Sequence, residues 1–378
     1  MGISPEQFFV ELKNQDIKFF TGVPDSLLKQ LCLCIDDNVD STHHIIAANE
    51  GNAMGLAVGY HLGTGKIPLV YMQNSGIGNM VNPLLSLCDP EVYSIPMLIV
   101  IGWRGEPGVK DEPQHVKQGK VQTALLRSLD IPFEIIDNKE KNFKIKITRG
   151  VEIAKKENRP FALIVRKGTF DTFNKAISLK KDSPFLREEV LIKLLGQFPE
   201  NAIIVSTTGK TSREIFEIRE KNGQTHNKDF LTVGSMGHCS SIAMGIALSN
   251  PKRKVICIDG DGALIMHMGS LATAGKLSPK NFIHILLNNK VHESVGGQNT
   301  AGDIIDFQLL AKANNYSNIY SIENKYEVAT VITKAIDDSG PIFIEINVDP
   351  GSRNDLGRPT IKPIDNKKAF MRFIHQEY

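Results

Sequence analysis

The feature that most constrains the fold is a regular alternation of short β-branched segments with longer amphipathic segments. Short β-branched runs are typical of strands, whereas apolar residues spaced three or four apart are typical of helices. The alternation occurs twice, before and after a stretch rich in charge, glycine and proline. Because strand–helix alternation favours a parallel sheet with helices on both faces, we expect an α/β protein with two doubly wound parallel-sheet domains.

The break in the pattern gives approximate domain bounds. The first predicted domain spans residues 1–167, a linker spans 168–184, and the second domain, which ends in a polar surface tail, spans 185–378. The predicted strands of the first domain are Ile17–Phe20, His43–Ala47, Leu69–Met72, Met97–Ile101, Phe133–Ile136 and Phe161–Val165. Those of the second domain are Ala202–Val205, Val255–Ile258, Ile283–Leu287, Ile319–Ser321 and Ile342–Val348.

The composition narrows the classes of function. Hydrophobic residues make up 41% and charged residues 23%, and the net charge is +2, so nothing points to nucleic acid or to a membrane as a partner. The N-terminal residues match neither a signal peptide nor a myristoylation site. Five cysteines without paired spacing predict reduced thiols in a cytoplasmic protein.

Two polar clusters follow apolar strands in the second predicted domain. The strand Val255–Ile258 runs into the sequence DGDG, and the strand Ile283–Leu287 runs into the sequence NN. Asp261 precedes Asn289 by 28 residues, which is enough for one crossover helix between neighbouring parallel strands. A helix expected to begin near Met268 would direct backbone N–H groups at a phosphate. Ligands of doubly wound sheets bind beyond the carboxyl ends of the strands, where both clusters lie.

The side chains at these two positions are the ligands that Mg²⁺ prefers. Asp261 offers a carboxylate, Asn289 an amide oxygen and Val291 a backbone carbonyl, and phosphate and water would complete an octahedral set. Gly260 and Gly262 have no side chains to keep a diphosphate at a distance. The sequence therefore predicts a site for magnesium and a diphosphate.

This arrangement resembles the cofactor-binding motif of the thiamine-dependent decarboxylase and transketolase superfamily. The resemblance implies thiamine diphosphate and Mg²⁺ as cofactors. The residues it implies as cofactor contacts in this motif are Gly260, Asp261, Gly262, Ala263 and Asn289. A glycine-rich turn suited to cradling the cofactor adds Gly234, Ser235, Met236 and His238.

A segment of the first predicted domain, HHIIAANEGNA at 43–53, supports the same family. It resembles the Asn-Glu-x-Asn-Ala segment of the superfamily's pyrimidine-binding domain, in which a glutamate hydrogen-bonds N1′ of the aminopyrimidine ring and so promotes loss of the C2 proton. Glu50 matches that glutamate. Without the second motif, Glu50 would be interpreted as an acid favoured at a helix N-terminus by the helix dipole.

The resemblance also implies an order of domains and an assembly. The pyrimidine-binding domain comes first and the diphosphate-binding domain second, without the middle domain that larger decarboxylases have. A two-domain chain is similar to the compact sulfopyruvate and phosphonopyruvate decarboxylases. Because the superfamily's active site forms between two subunits, the resemblance implies a homodimer or a larger homo-oligomer.

Three segments favour one substrate class within the family. The segments at 21–26 (TGVPDS), 102–115 (GWRGEPGVKDEPQH) and 234–248 (GSMGHCSSIAMGIAL) resemble phosphonopyruvate decarboxylases. The resemblance implies conversion of phosphonopyruvate, a small 2-oxo acid, to phosphonoacetaldehyde and CO₂ in phosphonate biosynthesis. Sulfopyruvate decarboxylation and an acetolactate-type condensation remain alternatives, as does a non-catalytic partner subunit that only binds the cofactor.

Five further residues are candidates for catalysis or substrate binding. Asp25 matches a loop aspartate of pyruvate decarboxylases and His115 is the analogous histidine, although Asp25 is also a candidate N-cap and His115 a candidate surface residue. A doubly charged phosphonate requires Arg or Lys, and Arg104 and Lys120, together with Ser26, are the candidate substrate contacts.

One motif is rejected from the residues themselves. Gly209-Lys210-Thr211 imitates the end of a nucleotide-binding phosphate loop, but that loop needs a glycine where Ile204 stands. The interpretation as a nucleotide site is therefore discarded.

Overall fold

The computed structural model describes residues 2–140, 142–174 and 185–375. Part of the predicted linker, residues 175–184, lies outside the described residues. The chain divides into two compact units, Met1–Ile177 with Val295–Gln298 and Ser178–Ser294 with Asn299–Tyr378. Each unit contains one six-stranded sheet in which all described pairs of neighbouring strands are parallel.

The first sheet has the order β2-β1-β3-β4-β6-β5. Its strands are β1 (Phe20–Gly22), β2 (His44–Ile46), β3 (Leu69–Gln73), β4 (Met97–Gly102), β5 (Phe133–Ile136) and β6 (Pro160–Val165). The helices of this unit are α1 (Pro5–Asn14), α2 (Lys29–Asn38), α3 (Glu50–Thr64), α4 (Ile77–Pro83), α5 (Pro113–Ser128) and α6 (Phe143–Glu157).

The second sheet has the order β11-β12-β10-β9-β7-β8. Its strands are β7 (Ile203–Ser206), β8 (Asp229–Leu231), β9 (Val255–Gly260), β10 (Phe282–Asn288), β11 (Asn318–Ile322) and β12 (Ile342–Asn347). The helices of this unit are α7 (Arg187–Gln197), α8 (Lys210–Lys221), α9 (Cys239–Ser249), α10 (Asp261–Met266), α11 (Ser270–Leu277), α12 (Phe307–Ala313), α13 (Glu327–Asp337) and α14 (Pro363–Ile374).

Alternate strand residues show why both faces of each sheet are covered. Leu98 and Val100 of β4 belong to one apolar core cluster, whereas Ile99 and Ile101 belong to another. Because successive strand side chains point to opposite faces, a strand buried throughout needs helices on both sides. The predicted pair of doubly wound parallel-sheet domains is therefore confirmed, and no middle domain is evident among the described residues.

Four differences from the expectations have local causes. Strand β1 begins at Phe20 rather than Ile17, because Ile17 closes the turn after α1 by donating to the Leu12 carbonyl. Strand β8 was missed, since it is short and begins with Asp229, a buried acid that pairs with Arg219. A helix was expected near Met268, but α10 begins earlier, at Asp261, and is followed by α11.

The fourth difference is the C-terminal tail. Its predicted final helix exists as α14, but two of its aromatic side chains, Phe370 and Phe373, are buried in the core of the second unit rather than exposed. Arg253 donates to the Phe373 carbonyl over 2.9 Å. The helix is thus part of the packed unit.

Two features bear on the expectations drawn from composition. All five cysteines are free and buried. Among the helices of the described residues, none combines the length and apolar character needed to cross a bilayer.

Candidate functional site

In the first unit, the candidate residues follow the carboxyl ends of neighbouring strands. Asp25 follows β1, Glu50 follows β2, and Arg104 follows β4. Parallel pairing places these strand ends at one edge of the sheet. The sheet therefore collects residues that are far apart in sequence.

The Glu50 carboxylate is buried and held by neighbours that the sequence did not reveal. Asn49 caps α3 by accepting from the Asn52 amide over 2.9 Å, which fixes Glu50 as the first helical residue. The Asn79 side chain donates to Glu50 Oε2 over 2.7 Å. A Cβ at Gly76 would lie 2.3 Å from Glu50 Oε1, so only glycine fits there. The signal for both neighbours was the polar, glycine-rich run NSGIGN directly after β3.

Asp25 is a buried acid rather than a helix cap. Helix α2 begins at Lys29 and its N-cap is Leu28, so the interpretation of Asp25 as N-cap of a helix over Ser26–Cys34 is wrong. Asp25 Oδ2 instead accepts from the Leu27 amide over 3.1 Å. Burial raises the pKa of Asp25 to about 6, although the positive charge of Arg104 acts in the opposite direction.

Arg104 is bound by an acid that the sequence analysis missed. Its guanidinium donates to both carboxylate oxygens of Asp111 and, over 2.9 Å, to the hydroxyl of Ser26. Burial would raise the pKa of Asp111, but the hydrogen bond from Arg104 outweighs it and holds that pKa well below its usual range. The predicted substrate contacts Ser26 and Arg104 are therefore brought together, with Asp111 as an unexpected partner.

The two candidates on α5 differ in burial. His115 is buried, so a surface role for it is wrong, whereas Lys120 is exposed. The Gly105 backbone has a φ of 69°, and a Cβ there would lie 2.0 Å from the His115 carbonyl oxygen. Glycine at 105 thus allows the loop after β4 to pack against the start of α5.

In the second unit, Asp261 is a buried carboxylate that receives only neutral donors among the described residues. It is 3% exposed at the start of α10. Its two oxygens accept from the Thr300 hydroxyl and, over 3.4 Å, from the Asn289 backbone N–H. Burial raises the pKa of Asp261 to about 6, despite these hydrogen bonds. The predicted pair Asp261 and Asn289 is therefore in contact.

Asn289 is oriented by a charged network that the sequence analysis did not identify. Its Nδ2 donates to Glu293 over 3.1 Å, while its Oδ1 accepts from the Val291 backbone N–H over 3.2 Å. Glu293 also accepts from Arg187 over 2.7 Å and from Lys210 over 2.6 Å. Burial would raise the pKa of Glu293, but the charges of Arg187 and Lys210 lower it. Lys210, which belongs to the sequence that imitates a phosphate loop, is thus an ion-pair partner of Glu293.

The glycine-rich turn Gly234–His238 lies beside α10. Gly237 has a φ of 85°, and a Cβ there would lie 3.0 Å from the Ala263 carbonyl oxygen. A Cβ at Gly262 would meet His292 at 3.1 Å and Met236 at 3.4 Å. Next to Gly260, by contrast, Thr207 is the only described residue that would lie within 4 Å of a Cβ. The glycine at 262 is needed for packing, whereas the space beside Gly260 is open.

Two polar side chains of this turn are also placed. Ser235 Oγ lies 3.1 Å from His238 Nδ1, and the His238 ring contacts the His267 ring at a centroid distance of 4.5 Å. Burial lowers the pKa of the nearby His292 to about 4, so its imidazole is neutral at pH 7. The second unit therefore brings together the predicted turn and both predicted polar clusters.

Comparisons with known proteins identify the family. Residues 5–125 match the N-terminal TPP binding domain of thiamine pyrophosphate enzymes, and residues 207–346 match the C-terminal TPP binding domain. A phosphonopyruvate decarboxylase of Streptomyces hygroscopicus is 32% identical over 100% of this chain and 95% of its own length. The chain belongs to the thiamine diphosphate-dependent decarboxylases.

Two further relatives extend this likeness. The phosphonopyruvate decarboxylase of Streptomyces viridochromogenes is 32% identical to this decarboxylase. The match spans 93% of the chain described here and 90% of the relative. The sulfopyruvate decarboxylase of Methanosarcina acetivorans is 28% identical, over 98% of this chain and 97% of the relative. The decarboxylase is a carboxy-lyase that uses thiamine diphosphate.

The buried Asp25 generates a prediction for stability. Its pKa is higher in the folded protein than the ordinary value of 3.8, so the folded state prefers the protonated form. Ionisation of Asp25 therefore costs stability as pH rises from about 4 through 6, by up to about 3 kcal/mol. We expect Asp25→Asn to be more stable than the parent at pH 8, by about 1–3 kcal/mol, with an advantage that shrinks toward pH 4. Urea unfolding across this pH range measures the difference.

Asp111→Asn is the matched control, because its pKa is shifted in the opposite direction. A carboxylate with a lowered pKa stabilises the fold above its ordinary pKa, so this variant should be less stable than the parent at pH 8. If Asp25→Asn were also less stable than the parent at pH 8, Asp25 would not be an uncompensated buried carboxylate.

Proposed function

We propose that this chain decarboxylates phosphonopyruvate to phosphonoacetaldehyde and CO₂, with thiamine diphosphate and Mg²⁺ as cofactors. The observation that supports this substrate is the likeness, at 32% identity over nearly the full length of both chains, to two relatives named phosphonopyruvate decarboxylase. The relative named sulfopyruvate decarboxylase is 28% identical. Sulfopyruvate is therefore the second candidate substrate.

The donor set in the second unit fits a magnesium ion. Asp261 is buried, and the donors that contact it within the described part of the chain are all neutral. A buried carboxylate without a cationic partner is costly, and a hard dication would neutralise it. Asp261, the amide oxygen of Asn289 and the carbonyl of Val291 would hold the ion, with the diphosphate beside Gly260.

The residues of the first unit would handle protons. Thiamine diphosphate, when bound, supplies the electron sink that the loss of CO₂ requires. Glu50 would share a proton with N1′ of the aminopyrimidine, and Asn79 holds the carboxylate in place for this. Asp25 is suited to deliver a proton near neutral pH, because burial raises its pKa to about 6. His115 is the second candidate for proton transfer.

Charge recognition would separate phosphonopyruvate from analogues such as pyruvate that lack the phosphonate group. Ser26 and Arg104 are in contact beside Asp25, and Lys120 is exposed on the following helix. Asp111 already neutralises much of the Arg104 charge, so Lys120 would supply the additional positive charge that a dianion needs. We also propose that the chain acts as a homodimer or larger homo-oligomer, as the superfamily resemblance implies, and sedimentation velocity measures that state.

The proposed substrate is tested by comparing kcat/KM for phosphonopyruvate, sulfopyruvate and pyruvate. We expect phosphonopyruvate to be preferred over each of the others. Lys120→Gln should reduce kcat/KM for phosphonopyruvate by roughly 10-fold or more, as expected for a lost charge-assisted contact, and should leave pyruvate little changed. Lys110→Gln, another exposed lysine before α5, is the matched control. A higher kcat/KM for sulfopyruvate would make sulfopyruvate the assigned substrate. Cofactor binding without turnover of any of the three compounds would favour a non-catalytic subunit.

The assignment of Glu50 as the activating glutamate predicts that its substitution lowers the reaction rate much more than the affinity for the cofactor. Glu50→Gln keeps the size of the side chain and its hydrogen bond with Asn79, but it cannot share a proton as a carboxylate does. We expect kcat to fall by roughly 10²- to 10⁴-fold, with only a modest loss of cofactor affinity. Hydrogen–deuterium exchange at C2 of the bound cofactor, measured by quenched-flow NMR, should slow in parallel. Unchanged exchange in a cofactor-loaded variant would show that another group activates the cofactor.

The magnesium assignment predicts two unequal losses. Asp261→Ala removes the anionic ligand and should abolish Mg²⁺-dependent binding of thiamine diphosphate, whereas Asn289→Ala removes a neutral ligand and should weaken binding less. Isothermal titration calorimetry with and without Mg²⁺ measures both. Cofactor affinity equal to the parent in Asp261→Ala would contradict the assignment.

A further inference from the structure

A second group of metal-ligating side chains lies inside the second sheet. Cys257 and Asp259 are alternate residues of β9 and therefore point to the same face. His284 of β10 is the register partner of Cys257. All three side chains are fully buried, and each offers one ligand atom that lies within 4.8 Å of the other two. The neighbouring aromatic rings of Phe282 and Phe343 make the surroundings apolar.

Two polar atoms of this group have no hydrogen-bond partner. His284 Nε2 and Asp259 Oδ2 lie 3.4 Å apart, and neither makes a hydrogen bond. The other polar atom of each side chain is engaged: His284 Nδ1 lies 3.2 Å from the Tyr316 hydroxyl, and Asp259 Oδ1 accepts from the Gly260 amide over 2.9 Å. Buried polar atoms are normally satisfied, so a pair that lies at ion-pair distance but makes no hydrogen bond among the described residues indicates a further partner that contacts both atoms.

A second thiol adjoins this group of three. Cys239, the first residue of α9, places its Sγ 3.4 Å from Cys257 Sγ. Zinc bound by sulfur at about 2.3 Å and by nitrogen or oxygen at about 2.0–2.2 Å separates neighbouring tetrahedral ligands by roughly 3.3–3.8 Å. The distance of 3.4 Å between His284 Nε2 and Asp259 Oδ2 matches that expected of a nitrogen and an oxygen ligand. Two sulfurs on one zinc lie about 3.8 Å apart, so the 3.4 Å between Cys239 Sγ and Cys257 Sγ would have to lengthen slightly on binding.

We propose that Cys257, Asp259 and His284 form a structural zinc site, in which the thiol of Cys239 turns toward the ion as the fourth ligand. The hydrogen bonds around the ligands support this, because a zinc-bound histidine usually donates its other ring N–H, here Nδ1 toward Tyr316, and a ligating carboxylate usually keeps a second hydrogen bond. Both thiols would bind as thiolates, releasing their protons to solvent as the ion enters.

This site has no ligand in common with the proposed magnesium site, but the chain connects the two directly. Asp261 contacts Thr300 and Asn289, neither of which belongs to the zinc ligands. Asp259, however, directly precedes the Gly-Asp-Gly sequence, and Cys239 directly follows the turn Gly234–His238. A zinc ion would therefore hold in place one residue next to each of the two segments that are proposed to bind the cofactor.

The test begins with the intact, untagged protein. Inductively coupled plasma mass spectrometry should find about one zinc per chain, either as purified or after incubation with Zn²⁺ and gel filtration. Replacement with Co²⁺ should give the intense near-ultraviolet absorption of a cobalt–thiolate bond, which the oxygen ligands of the magnesium site cannot produce. Neither measurement depends on enzyme activity or on bound thiamine diphosphate, so failure of the proposed function would leave both unchanged.

Variants assign the signal to these ligands. Cys257→Ser and Asp259→Asn should each reduce bound zinc at least about tenfold, and Cys257→Ser should remove most of the cobalt–thiolate band. Asp259→Asn preserves a hydrogen-bonding side chain, so a plain polar pair with His284 would survive it. Two control variants should retain zinc. Cys88→Ser changes a buried cysteine of the first unit, and Asp261→Ala removes the proposed magnesium ligand.

Two results would overturn the proposal, and both are read on the parent protein even if the variants fail to fold. One is the absence of bound zinc and of a cobalt–thiolate band after titration with each metal. The other is a thiol titration of the unfolded, unreduced protein that finds three thiols instead of five, together with peptide mapping that assigns the resulting disulfide to Cys239 and Cys257.

Discussion

Parallel strand pairing is the constraint on which the rest of the structure depends. Because every described pair of neighbouring strands is parallel, each sheet gathers its strand ends at one edge, and loops distant in sequence become neighbours there. Asp25 and Glu50 reach that edge in the first unit, as Asp261 and Asn289 do in the second. Most strand residues are apolar and specify the sheet, so the proposed cofactor chemistry depends on the residues that immediately follow the strands.

Hydrogen bonds from neighbouring side chains hold the polar residues of these loops in defined orientations. In the second unit, Glu293 accepts hydrogen bonds from Asn289, Arg187 and Lys210, so one buried carboxylate orients an amide that is proposed to bind magnesium. Removing one member of such a buried network leaves an uncompensated charge, which typically costs about 3–5 kcal/mol. The network thus ties the geometry of the proposed metal site to the stability of α7 and α8.

The sequence predicted most strands and the position of each motif, because alternation and strand ends are local signals. It did not predict Asn79 or Glu293, whose partners Glu50, Arg187 and Lys210 are distant in sequence. It also did not predict Asp111, which binds Arg104 only seven residues away but belongs to no recognisable pattern. It also missed β8, where a buried ion pair between Asp229 and Arg219 replaces the apolar pattern of a strand. The predictions that succeeded therefore rested on local patterns, whereas the missed residues act through specific polar contacts that no local pattern encodes.

The two buried aspartates show how differently a carboxylate can be prepared for chemistry. Burial raises the pKa of both Asp25 and Asp261 to about 6, but their surroundings differ. Arg104 lies near Asp25 and favours its ionised form, so this acid is balanced between two protonation states near neutral pH. Asp261 receives only hydroxyl and amide donors among the described residues, so its charge is best compensated by a cation. The same loss of solvation suits one aspartate to proton transfer and the other to metal binding.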